Sequence, residues 1–379
     1  MKRTCAKQTE QAKQASQAKQ AEQAKHAHQT EQPKRARFLV AAFIALVFLG
    51  AALLTSSCTK SCPIIPEGTT IGSGSGTSEC MVATTLEIMA IKGPSGIGMV
   101  KMMESPSSSS TDDLNYSFRL AGSPDEVIAA LSSGSVDIAA LPTNLAGNFY
   151  QKTSGDIRLI AITTYGNLSI VEVGDSVTKL SDLVGKTIHA SGQGANPQYI
   201  LEYLLRDAGL SVENEVTIEW HAEMSEVLAL LATGEIEIAL LAEPFASTAL
   251  AKNAHTRIAL DLNDLWQKAT GYPPVMTAIV ARTSYLEAHL SLVDSFLDDL
   301  RTSISWVEEN PAEAAAMCVT HNIMADASIA EAAIPRAGLT FLEGKDMVPP
   351  LTNYFEILMA ANPASIGGNI VDDTFFYQR

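Results

Sequence analysis

Nucleophilic or metal chemistry in this 379-residue chain would have to come from five cysteines and seven histidines. Cys318 and His321 stand one helical turn apart in "AEAAAMCVTHNIM", a spacing that suits a thiol nucleophile and its base. In so apolar a run the same pattern also describes a small buried thiol, and that is the expectation here. The other histidines are scattered and no CxxC occurs, so no metal-ligand cluster, metal or other cofactor is expected. No Ser–His–Asp set or pair of carboxylates at fixed spacing stands out, and the chain is not expected to be an enzyme.

The polar residues best placed to bind something end the two copies of a repeat. Residues 126–146, "EVIAALSSGSVDIAALPTNLA", return at 226–246 as "EVLALLATGEIEIALLAEPFA", with nine identities and no gap. Each copy reads as a helix, a glycine stop (Gly134, Gly234), a strand, and the start of another helix. The aliphatic strands are shared and the ends differ: Thr143 and Asn144 in one copy, Glu243 and Phe245 in the other. In open α/β sheets ligands bind beyond the carboxyl ends of strands, so these ends are candidate ligand contacts. A carboxylate at Glu243 would accept hydrogen bonds from an amine or aminopyrimidine and repel nitrate or a sulfonate. It would serve equally well as a cap on the following helix.

Ten strand-like runs, from "TTLEIMAI" to "VMTAIVAR", alternate with amphipathic helical segments between residues 84 and 282. The strands are short and apolar on both sides, as strands of parallel sheets covered by helices are. "SPDEVIAALSSG" places Ser123 at an N-cap, and "NPQYILEYLLRDAG" does the same for Asn196. Beyond Arg282 the pattern becomes helical, beginning with the long amphipathic run "SYLEAHLSLVDSFLDDLRTSISWVEEN". The fold class is therefore α/β, with two doubly wound lobes and a helical C-terminal third.

The start of the chain differs from the body. Residues 1–37 are rich in Ala, Lys and Gln and have little with which to bury a core. Residues 38–57 hold the uncharged run "FLVAAFIALVFLGAALL" behind "PKRAR", which reads as a secretory apolar region or a short anchor. "LLTSSC" resembles the lipobox of bacterial lipoproteins and makes Cys58 the lipidation candidate, although Thr55 stands where that family prefers an aliphatic residue. An uncleaved anchor remains the other reading. Residues 58–81 form a Gly/Ser/Thr-rich tether in which Cys62 and Cys80 are free to pair or not. The first 57 residues hold nine Lys/Arg and three Asp/Glu, whereas the whole chain carries a net charge of −16. The acidic body lacks the basic footprint of a nucleic-acid binder.

The motifs "IKGPSGIGM", "LPTNLAGNFYQK", "TTYGNLSIVE", "LVGKTIHASGQGANPQYIL", "EPFAS", "IPRAGLTFLEG" and "NPASIGG" together resemble the ABC-transporter substrate-binding proteins of the NitT/TauT, NMT1/THI5-like group. The resemblance covers about residues 84–377. It implies the periplasmic binding protein type II fold: lobe one at 82–180, lobe two at 181–273, and a return to lobe one at 274–379, with a cleft and hinge between them. The C-terminal helices would pack on lobe one. It also implies a monomer outside the cytoplasmic membrane that captures a small molecule and delivers it to an ABC permease. The ligand would be a thiamine-pathway pyrimidine or similar heterocycle; nitrate, sulfonates and taurine are the alternatives within the group. A branch of the group resembles pyrimidine synthases that use a cysteine-rich segment, which this body lacks. Carried over by position, the ligand loops hold Pro94, Ser95 and Gly96; Thr143 and Asn144; Thr164 and Tyr165; and Gly194, Ala195 and Asn196. Glu243 and Phe245 complete the set. None of the four loops at 93–96, 142–144, 163–166 and 191–196 contains Lys or Arg.

Overall fold

The computed structural model describes residues 84–105, 107–108, 114–212 and 214–379. The expected head, apolar segment and tether, with Cys58, Cys62 and Cys80, lie outside the described residues. Among the described residues no helix is long and apolar enough to cross a membrane.

The first part of the body runs β1 (Thr84–Ile91), α1 (Pro94–Glu104), β2 (Leu114–Ala121), α2 (Pro124–Ser133), β3 (Ile138–Pro142), α3 (Thr143–Thr153) and β4 (Ile157–Thr164). Then follow β5 (Leu168–Val173), β6 (Thr187–Ser191), α4 (Asn196–Asp207), β7 (Thr217–His221), α5 (Met224–Thr233), β8 (Ile238–Ala242), α6 (Phe245–Lys252), β9 (Thr256–Asp261) and α7 (Leu262–Thr270). The chain ends with β10 (Thr277–Arg282), α8 (Thr283–Ala288), α9 (Leu290–Glu309), α10 (Pro311–Thr320), α11 (Ala327–Ala333), β11 (Leu339–Leu342) and α12 (Val348–Ala361).

These strands form two sheets, β11-β4-β10-β3-β1-β2 and β7-β6-β8-β5-β9. Apart from the edge strand β11, the two orders are equivalent, and β3 of the first corresponds to β8 of the second. The sequence repeat is thus a repeat of structure. Gly134 (φ 68°) ends α2, and its N–H donates to the last carbonyls of the helix; Gly234 (φ 77°) does the same for α5. In β3, Ala139 and Leu141 face one apolar cluster while Ile138 and Ala140 face another. In β8, Ile238 and Leu240 divide from Ala239 and Leu241 in the same way. Both strands are buried on both faces, which is why they read as continuous apolar runs.

Two expectations are corrected here. The sheets are mixed: β10 lies antiparallel between β3 and β4, and β5 antiparallel between β8 and β9. The first crossing falls at residues 165–167, well before 180, because β5 belongs to the second sheet. Apolar patterning marks β5 as a buried strand but carries no information about which sheet pairs with it. The return to the first sheet lies between α7 and β10. Each antiparallel strand is the one that has just crossed between lobes.

The C-terminal third packs on lobe one through α9 and α10. Phe296, Leu300 and Ile304 share a cluster with Ile97 and Met99 of α1. Gly98 lets α9 come close, since a Cβ there would lie 3.2 Å from Ile304 Cγ1, and Ser303 Oγ donates to Gly98 O at 2.7 Å. The expected single long helix is two, α8 and α9, broken at His289. The C-terminal third also touches lobe two. The ring of Tyr354 on α12 lies 5.4 Å from that of Trp266 on α7, and both side chains are fully buried.

Candidate functional site

The carboxyl ends of both sheets open into one cavity of about 840 Å³. Lys92, Ser95, Glu126 and Thr277 line it from the first lobe, and Ser191, Asn196, Glu223 and Phe245 from the second. Asn167, on the first crossing, lines it as well. A hollow of similar volume beside the C-terminal tail, lined by Arg158, Lys345 and Tyr377, is built from the first lobe alone.

Six of the twelve expected ligand contacts line the cleft: Pro94, Ser95, Ala195, Asn196, Glu243 and Phe245. Ser95 is tied to its own loop, since its Oγ donates to Ile91 O at 2.8 Å. Gly96 is buried, and a Cβ there would lie 3.3 Å from Ile91 O and 3.4 Å from Ile323, so it serves the packing of α1. Gly194 is exposed and outside the lining, its N–H donating to Gln198 Oε1 at 2.7 Å.

The remaining residues hold the lobes together near the hinge. Thr143 is buried and donates from Oγ1 to Val275 O at 2.6 Å on the return crossing. Asn144 is fully buried and donates to Gly194 O of the second lobe at 3.4 Å. Thr164 is fully buried at the end of β4, and Tyr165 packs half-buried against the core with its N–H bonded to Gly338 O at 2.8 Å. Strand ends are legible in sequence, but their depth below the cleft is not. Asn196 joins this seam from the cleft side. Its Nδ2 donates to Met276 O at 3.1 Å, and its Oδ1 accepts from Tyr354 at 2.8 Å. It therefore is not the N-cap of α4, which begins at Asn196 and takes Ala195 as its cap.

Glu243 is 4% exposed, and both carboxylate oxygens are engaged. Oε1 accepts from Arg336 Nε at 2.9 Å. Oε2 accepts from the Ser247 N–H at 3.1 Å and from Ser247 Oγ at 2.7 Å. The capping alternative thus describes the local geometry, and Arg336 neutralises the charge that was expected to repel anions. Lys92, one residue outside the first loop, adds a cation to the cleft lining. Helices α1, α2, α4 and α5 all begin at this cavity without a side-chain cap, so their dipoles point positive ends into it. Opposing them are Glu126 and Glu223 at the rim. Asn167 is 7% exposed, and its Oδ1 has no hydrogen-bond partner.

Sequence reading missed Lys92, Asn167 and Glu223 in the lining. Lys92 and Glu223 each stand next to a strand–helix junction, the signal that would have found them. Sequence reading also did not bring together three side chains of metal-ligating type. His189, Glu219 and His221 bring one donor atom each within 4.8 Å of one another on the β6–β7 edge of the second sheet. The thirty-odd residues between the histidines hid them; Glu-x-His on one strand face was the visible half. Cys318 is buried, which pushes its thiol up to about 12. His321 instead pairs with Glu104 Oε1 at 2.9 Å, so the bland reading of that pair stands.

Two sheets of equivalent strand order, joined by two crossings and enclosing a cleft at their strand ends, define the periplasmic binding protein class of fold. Within it the chain belongs to the family described as menaquinone biosynthesis, whose model matches residues 103–333 and which is a relative of the NMT1/THI5-like group. The chain is similar to an ABC transporter protein from Parabacteroides distasonis, at 26% identity and TM-score 0.68, covering 78% of this chain and 99% of that one. It is similar in fold to the periplasmic aliphatic sulphonate binding protein SsuA from Escherichia coli, at 17% identity and TM-score 0.63, covering 78% and 92%. The CA3427 gene product of Candida albicans, with the generic periplasmic binding protein fold, is similar at 16% identity and TM-score 0.54, covering 77% and 93%. No curated protein matches the chain in sequence.

Proposed function

We propose that the chain is an extracytoplasmic solute-binding protein that closes its two lobes on a small molecule and delivers it to an ABC permease. Either lipid on Cys58 after cleavage of the preceding segment, or residues 38–57 as an uncleaved anchor, would tether it to the membrane. The observation that carries this reading is the cavity of about 840 Å³ lined by strand ends of both lobes, a volume suited to one small organic ligand. Ligand would contact both lobes only when they are closed, and so would shift that equilibrium.

Lys92 and four helix N-termini favour a ligand with an anionic or carbonyl oxygen at one end. Sulfonates, the ligands named for the Escherichia coli neighbour, have this chemistry. The thiamine-pathway pyrimidine is the competing ligand, supported by the unpartnered Asn167 Oδ1, which needs an N–H or O–H donor. Thermal unfolding in the presence of alkanesulfonates, taurine, nitrate and thiamine-pathway pyrimidines separates them. A sulfonate that raises Tm and binds about tenfold more weakly to Lys92→Ala supports the anionic reading. Stabilisation by pyrimidines alone overturns it, and stabilisation by none of these compounds removes both ligand classes.

The family description favours a second reading, in which the bound molecule is a menaquinone precursor that is converted rather than carried. Mass analysis of the precursor after incubation with the purified chain decides this. An unchanged mass sinks the enzymatic reading.

A further inference from the structure

The β6–β7 edge of the second lobe carries a group of side chains that solute binding does not use. In the parallel pairing of these strands His189 stands opposite Glu219, and Ser191 opposite His221. Glu219 and His221 are two residues apart on β7, so both point to the same face as His189. His189 Nδ1 lies 3.0 Å from His221 Nε2 and 3.7 Å from Glu219 Oε2. The imidazoles are sheltered, at 15% and 10% side-chain exposure, while Glu219 at 58% leaves a way in from solvent. A second carboxylate stands behind the group: Glu226 Oε1 on α5 is 3.3 Å from His221 Nδ1.

We propose that His189 Nδ1, His221 Nε2 and Glu219 Oε2 form a binding site for a borderline divalent transition-metal ion, Zn²⁺ in preference to Mg²⁺ or Ca²⁺. Two imidazole nitrogens and one carboxylate are a donor set for Zn²⁺ and its neighbours; hard cations take oxygen ligands. Tetrahedral Zn²⁺ with Zn–N bonds of about 2.0–2.1 Å separates its nitrogens by about 3.3 Å, so the pair needs to open only by a few tenths of an ångström. Solvent water is left to complete the coordination.

The contact with Glu226 is what distinguishes this group from two histidines that merely meet. A ligating histidine characteristically donates its other N–H to a carboxylate, which fixes the tautomer and raises the basicity of the ligand. With its proton on Nδ1 facing Glu226, His221 presents an Nε2 lone pair toward His189. In the empty site His189 Nδ1–H donates to that lone pair. Metal binding requires His189 to carry its proton on Nε2 instead, a change of tautomer with no net proton release. Burial holds His189 below the ordinary histidine value; Glu219 pulls against that and His221 adds to it. Because Ser191 and Glu223 line the cleft, the ion would staple two strands whose ends form part of its wall.

The test is Zn²⁺ binding by the full-length chain after treatment with EDTA, measured by equilibrium dialysis on the protein and three variants. His189→Gln with His221→Gln should lose one equivalent of Zn²⁺. Zinc held by other His and Cys residues is common to both proteins and drops out of the difference. Glu219→Gln, at an exposed position that leaves the fold intact, should weaken that one equivalent. Glu226→Gln should weaken it about 10–100-fold. Co²⁺ should give tetrahedral d–d absorption that disappears in the double variant. The same number of equivalents at the same affinity in the double variant overturns the proposal, as does Zn²⁺ binding by all four proteins only at millimolar concentration. Either result would mean that the pair is held by an imidazole–imidazole hydrogen bond alone.

Discussion

Arg336, on the turn after α11, meets the carboxylate of Glu243 in the second lobe. Its Nε donates to Oε1 at 2.9 Å, and its Nη2 donates to Ser247 Oγ at 2.6 Å. Arg336 ends the turn after α11, against lobe one, and Glu243 directly follows β8 of lobe two, so the pair is a latch between the lobes. The Glu243 side chain is 3% exposed and that of Arg336 40%, which places the pair between surface and buried ion pairs. Arg336→Met should cost about 1–2 kcal/mol, below the value for a fully buried pair. If the latch favours closure, the ligand-free variant should have a larger radius of gyration by small-angle scattering. Its affinity for every ligand should fall by the same factor. A loss confined to one ligand class would instead put Glu243 and Arg336 in direct contact with ligand.

Asn196 ties three segments together at the back of the cleft, bonding Met276 O at 3.1 Å and Tyr354 at 2.8 Å. Asn196→Ala leaves the fully buried Tyr354 hydroxyl without a partner and takes one of two donors from Met276 O, which keeps the Thr143 N–H, at a cost of about 2–3 kcal/mol. Tyr354→Phe removes only one bond and should cost about 1 kcal/mol. Urea unfolding of the two variants gives both values, and equal costs would contradict the shared role of Asn196.

Gly166 marks the first crossing. A Cβ there would lie 2.6 Å from Pro274 Cγ and would run into the side chain of Asn263. Gly166→Ala should therefore destabilise by about 1–3 kcal/mol through overpacking. Because the strain falls on both crossings, ligand affinity should change with it. A variant of unchanged Tm would show that the two crossings are not packed as described.

Glu172 on β5 is 2% exposed and pairs with Arg257 at 2.6 Å. Burial alone would raise its carboxyl. Hydrogen bonds from Ser176 and Val177 and the Arg257 charge outweigh this and hold it below the ordinary 4.5. A depressed folded value means stability that is fully present above about pH 4.5 and lost as pH falls through the folded value. Glu172→Gln should lower stability at neutral pH and flatten the loss on acidification, read from Tm between pH 3 and 7, a span of roughly ±2 units about the carboxylate range. An equally steep acid limb in the variant would assign that loss to other carboxylates.

The chain's own text determined the period of its elements and the equivalence of its lobes. Buried strands must be apolar on both faces, helices must stop where glycine allows a left-handed turn, and both rules act over a few residues. For that reason the repeat at 126–146 and 226–246, the ten strands between residues 84 and 282, and six residues that line the cleft were legible. Only the tertiary structure decided which sheet receives β5, how deep Thr143 and Asn144 lie, and what answers the charge of Glu243. Arg336 is 93 residues from Glu243, and His189 is 32 from His221. Pairings at such separations depend on how whole lobes and strands come together, and no local pattern of side chains encodes them.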